Sequence, residues 1–113
     1  MRKETINILV QSKGRMSSDV EKVFKKNKLK IVKQNERSLT GTIKGHPNVK
    51  ILFMNTSEIC QALAMQVGDI GISGKDLWKE SEPSIQSKIS LAKEYSFGKS
   101  SLIVAVDLSL IHI

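Results

Sequence analysis

The chain has 113 residues, 40% of them hydrophobic and only 4% aromatic, with a formal net charge of +7. That length suits one domain or part of one, built on a mostly aliphatic core. No apolar run approaches the roughly 18 residues of a membrane span. The N-terminus carries neither the apolar region nor the cleavage site of a signal peptide, and the lone Cys60 excludes a disulfide framework or a CxxC metal or redox pair. A cytoplasmic location is expected.

Ile6-Asn7-Ile8-Leu9-Val10 is a short β-branched and apolar run that predicts a buried parallel strand. Gln11-Ser12-Lys13-Gly14-Arg15 follows as a polar loop. Ser18 and Glu21 form an S-x-x-E capping box, and Val20, Val23, Phe24 and Asn27 recur at helical spacing, which predicts a helix over 18–28. Residues 29–32 are expected as a short strand. Residues 39–43 and 49–54 are expected as two strands joined by the turn cluster 44–48. Asn55 or Thr56 caps a helix with the apolar stripe Ile59, Ala62, Leu63 and Val67, and Gly68 stands where a C-terminal glycine belongs. Residues 69–73 make a strand centred on Ile70 and Ile72. Ser73-Gly74-Lys75-Asp76 then turns into a short helix through Leu77 and Trp78. Glu82-Pro83-Ser84 is expected as a linker, 89–95 and 102–106 as strands, and Phe97-Gly98 as a turn. Strands alternating with helices predict an α/β fold with a mostly parallel sheet. The end of the chain, 108–113, is an apolar run with no cap or polar finish. It is set aside as a sequencing scar, leaving 1–107 as the credible domain.

Ligands of open α/β sheets sit at the carboxyl ends of strands. Two loops are expected there, 11–15 and 73–76. In the first, a helix N-terminus offers free backbone N–H groups, Lys13 a point charge and Arg15 a planar fork. Together with Gly14 they suit phosphate, or else form an ordinary charged turn. Neither loop is a Walker A motif: around Gly74-Lys75, Asp69 replaces the first glycine and Asp76 the Ser/Thr. Asp76 either caps its helix or binds ribose hydroxyls. Arg37 is a surface charge or a second fork. Cys60 is expected in the core and His46 in solvent. No catalytic triad, metal cluster or carboxylate dyad is visible, so any catalysis would be positional and electrostatic. The cluster Lys22 to Lys33 has no interleaved aromatics and predicts a solvated face, not a nucleic-acid platform.

The ordered set Ser12-Lys13-Gly14-Arg15-Met16, Glu36-Arg37-Ser38-Leu39-Thr40-Gly41-Thr42, Gly68-Asp69-Ile70-Gly71-Ile72-Ser73-Gly74-Lys75-Asp76-Leu77 and Phe97-Gly98 resembles the ATP phosphoribosyltransferase family, over about residues 6–106. The turn around 41–48 is most similar to the short-form enzymes. The resemblance implies a type II periplasmic-binding-protein-like fold of two α/β domains, with this chain a partial first domain truncated before the second. It implies transfer of phosphoribose from phosphoribosyl pyrophosphate to N1 of ATP, with Mg²⁺, as the first step of histidine biosynthesis. It also implies a regulatory partner related to histidyl-tRNA synthetase, and neither nucleic acid nor membrane as a partner. Lys13, Gly14 and Arg15 match the basic loop that contacts phosphates, Arg37 matches an arginine that reaches the site, and Ser73, Gly74, Asp76 and Leu77 match the segment that touches adenosine. Ser100-Ser101 depart from the Cys-Arg of many members, and Asp107 replaces a common Pro. The Asp-rich phosphoribosyl-pyrophosphate loop with Thr-Gly-x-Thr is absent, so the chain alone is expected to be inactive. A non-enzymatic small-molecule-binding module of the same fold is the alternative.

Overall fold

A computed structural model describes residues 5–12, 15–33, 38–97 and 100–107. The elements run β1 (Ile6–Gln11), α1 (Arg15–Lys26), β2 (Ile31–Val32), β3 (Thr40–Ile43), β4 (His46–Met54), α2 (Thr56–Ala64), β5 (Ile70–Gly74), α3 (Lys75–Glu80), α4 (Pro83–Gln86), β6 (Ile89–Phe97) and β7 (Ser100–Asp107). The seven strands form one sheet in the order β2-β3-β4-β1-β5-β7-β6.

The expected α/β fold is present, but the sheet is mixed and not mostly parallel. β1 pairs parallel with β4 and with β5, whereas β2–β3, β3–β4, β5–β7 and β6–β7 are antiparallel. The reason is the length of the connections. A parallel neighbour needs a crossover of a dozen or more residues. Only Lys44 and Gly45 separate β3 from β4, with Gly45 at φ 84°, and only two residues separate β6 from β7. The crossovers through α1 and α2 are long enough, and they deliver the parallel pairs.

Side-chain alternation along the strands divides the core in two. Val10, Ile51, Ile72 and Leu102 face α1, packing with its Val20, Val23 and Phe24. Leu9, Ile103 and Ala105 face the other way, against Ile59, Cys60 and Leu63 of α2 and the half-buried Trp78 and Ile85 of α3 and α4. The result is three layers, with one helix on one face and three on the other. Cys60 lies in the core and His46 is exposed, as expected.

Three local expectations are corrected. The first helix starts at Arg15, so Ser18 is not its cap but an exposed residue of its second turn. Gly68 does not end α2. The left-handed position there is Gln66, at φ 65°, with Gln66 N–H bonding Leu63 C=O and Val67 N–H bonding Ala62 C=O, a Schellman cap. Lys28 at φ 61° closes α1 by the same pattern. The reason Gly68 carries no side chain is packing: a Cβ would stand 2.5 Å from Leu9 Cγ. Finally, the expected linker holds a helix, because Pro83 sits at N1 of α4, where its missing N–H costs nothing. Residues 108–113 lie outside the described residues.

Candidate functional site

From β1 the chain crosses on the α1 face to β2 at the sheet edge, comes back through β3 to β4, then passes on the opposite face through α2 to β5, which lies on β1's other side. The direction of winding therefore reverses at β1. Such a switch point, outside the carboxyl ends of the strands, is where doubly wound sheets bind ligands.

The carboxyl edge is built by register. β1 runs in step with β4, Gln11 opposite Met54, and the Ser12 N–H continues the ladder onto Met54 C=O at 3.0 Å. On the other side Ile8 pairs with Ile70 and Leu9 with Gly71, which brings Ser12 level with Gly74 at the end of β5. Gly74 is also the N-cap of α3. The beginnings of α1, α2 and α3 therefore all open on one edge.

Of the residues expected at the site, the described structure brings together two groups. Ser73, Gly74, Asp76 and Leu77 run continuously from the end of β5 into α3. Arg15 begins α1 after the neighbouring β1, with its backbone described. Lys13, Gly14 and Arg37 lie outside the described residues. Gly74 is the cap of α3, so Asp76 is not; its side chain is exposed in the first turn. Ser73 is 2% exposed, its Oγ 4.0 Å from Cys60 Sγ and donating to Gly74 C=O at 3.4 Å, so its hydroxyl is occupied within the α2 layer. Leu77 borders an open cavity of about 330 Å³ between α2, α3 and α4, with Thr56, Ser57 and Gln61 on the opposite wall and Cys60 at its base.

The sequence reading missed an ion pair beside this segment. Lys75 Nζ reaches across β7 to Glu94 Oε1 at 3.0 Å. Its hydrogen bond holds the Glu94 carboxyl below the ordinary carboxylate value of 4.5. Nineteen positions of sequence separate the partners, so spacing alone does not reveal them. The reading also passed over Lys33, which borders a second, smaller cavity at the end of β1 with Gln11, Ser12 and Glu21.

Doubly wound α/β sheets bind ligands at such a switch point, and the chain has relatives among known proteins. The chain is 34% identical over 103 residues to the ATP phosphoribosyltransferase of Sinorhizobium fredii, which covers 90% of this chain and 45% of that protein. It is 36% identical over 100 residues to the enzyme of the same name from Rhodopseudomonas palustris, covering 88% of this chain and 31% of that protein. The chain thus spans less than half the length of these relatives. A chain of the ATP phosphoribosyl transferase (HisG:HisZ) complex from Thermotoga maritima shares the fold, with a TM-score of 0.58 over 82% of this chain and 41% of that one, at 17% identity. No protein-family model matches the chain.

Proposed function

We propose that this chain is part of the first domain of an ATP phosphoribosyltransferase, the enzyme that joins phosphoribose from phosphoribosyl pyrophosphate to N1 of ATP, releases pyrophosphate and opens histidine biosynthesis. The observation that carries the proposal is the similarity of 34% over nine-tenths of the chain to an enzyme of that name. The β1-centred sheet and its carboxyl edge support a type II periplasmic-binding-protein-like domain.

In this reading the edge binds and orients ATP. Arg15, at the start of a 12-residue helix, lies where a phosphate meets free N–H groups and the positive end of a dipole. Lys13, Gly14 and Arg37 complete the phosphate contacts. Asp76, exposed in the first turn of α3, accepts hydrogen bonds from ribose hydroxyls, and the backbone at Ser73 and Gly74 lies along the nucleoside. Holding N1 of adenine and C1 of phosphoribose in contact would supply most of the acceleration, as effective concentration and orientation.

Mg²⁺ fits this part of the site only as a companion of substrate phosphates. Among the described residues no three Asp, Glu, His or Cys side chains gather to hold a metal, and Mg²⁺ at such sites commonly rests on phosphates and one or two carboxylates. The regulatory partner would be the histidyl-tRNA-synthetase-like subunit, matching the hetero-complex named for the Thermotoga maritima structure. Among the described residues no helix is long and apolar enough to cross a membrane, which accords with a cytoplasmic enzyme.

Arg15→Ala and Asp76→Ala in the full-length protein test the assignment. Each is expected to raise the KM for ATP at least tenfold with the fold intact by circular dichroism. Unchanged kinetics in both would remove this edge from the ATP site.

A further inference from the structure

A cation that the basic loop does not include stands at the carboxyl end of β1. Lys33 follows β2, and its ammonium lies 4.7 Å from the centroid of the Phe53 ring. Phe53 is opposite Val10 in the β1–β4 ladder, so the ammonium is held near the carboxyl ends of these two strands. There it borders a cavity of about 50 Å³ with the half-buried Gln11 and Ser12 and the exposed Glu21. Among the described residues no carboxylate comes within 4.0 Å of it. An aromatic face attracts an ammonium but accepts no conventional hydrogen bond, so the donors of Lys33 remain available to a ligand.

We propose that Lys33 is a substrate-binding residue, donating to a phosphoryl oxygen seated in this cavity beside the Ser12 hydroxyl and the Gln11 side chain. The proposal deepens the phosphoribosyltransferase reading and rests on it. Phe53 acts as a positioning residue that keeps the ammonium at the edge when no ligand is bound. Glu21, on the same cavity, opposes an incoming anion and limits its affinity. Both ATP and phosphoribosyl pyrophosphate carry such a group, and the two are separable by experiment.

The test is calorimetric titration of the full-length protein with ATP, phosphoribosyl pyrophosphate and adenosine in turn. Lys33→Met keeps the apolar stem against Phe53 and removes the charge. It should weaken one or both phosphorylated ligands at least tenfold, the usual scale for a hydrogen bond to a charged group, and leave adenosine within about twofold. The ligand that weakens identifies the source of the phosphoryl group. Lys33→Arg should recover most of the loss, and Glu21→Gln should tighten the same ligand about threefold, as expected for removing one nearby like charge in water. Equal losses for adenosine and ATP would overturn the proposal by showing a merely structural role. Wild-type affinity in Lys33→Met, alongside a defective Arg15→Ala, would also overturn it while sparing the enzyme reading. If the wild-type protein binds neither phosphorylated ligand, both fall together.

Discussion

Gly68→Ala tests the packing that sets β1 beside β5. A Cβ at position 68 would stand 2.5, 2.6 and 2.8 Å from the Cγ, Cδ2 and Cδ1 of Leu9. Carbon atoms pack best at about 3.5–4.0 Å, so the whole isobutyl group would have to retreat by about 1 Å. Leu9 is fully buried, and its strand is locked between β4 and β5, so no free volume receives it. Overpacking of this kind costs about 1–3 kcal/mol. With a urea m-value of about 2 kcal/mol/M, the unfolding midpoint should fall by about 1 M. Fluorescence of Trp78, the single tryptophan, reports it from the core cluster that contains Leu9. Gly71→Ala is the internal comparison, because its Cβ meets Ile59 and Leu63 at 3.1 and 3.3 Å and needs a shift of only a few tenths of an ångström. A midpoint shift in Gly68→Ala no larger than in Gly71→Ala would refute this close packing of Gly68 on Leu9.

Asp69 makes a reciprocal link across the sheet's entry, its N–H donating to Asn7 C=O and its carboxylate accepting from Asn7 N–H, both at 2.8 Å. Asp69→Ala should therefore cost about 1–3 kcal/mol in urea unfolding, and a change under 0.3 kcal/mol would refute that role. The Glu94 carboxyl is held down by Lys75, so in Lys75→Met its NMR titration should move back up toward 4.5. Since the folded value is the depressed one, any stability from the pair is present above 4.5 and fades as pH falls through the lower folded value. The difference between wild type and Lys75→Met should shrink over that interval, and a difference that grows toward acid would contradict the sign.

The strands were legible because β-branched runs such as Ile6-Asn7-Ile8-Leu9-Val10 advertise burial wherever they pair. Their direction was less so, because it depends on what lies between strands: the two-residue turn at Lys44-Gly45 forces an antiparallel pair that the alternation of strand and helix does not suggest. Ser18-x-x-Glu21 mimics a capping box, yet both residues are exposed on the body of a helix that begins three positions earlier. Gly68 mimics a helix stop, while its requirement comes from Leu9, 59 residues away. At the ligand edge, the contiguous segment from Ser73 to Leu77 was readable as a motif. The neighbours that arm the edge were not. Lys33 looks like one more member of a solvated lysine cluster until the sheet brings Phe53 beneath it, and Lys75 finds Glu94 only across β7.

Full-length protein, supplied with Mg²⁺ and with the regulatory partner where it needs one, should release pyrophosphate only when ATP and phosphoribosyl pyrophosphate are both present, with phosphoribose recovered on the adenine of ATP. Tight ATP binding without any such transfer would contradict the enzyme reading and leave a binding module in its place.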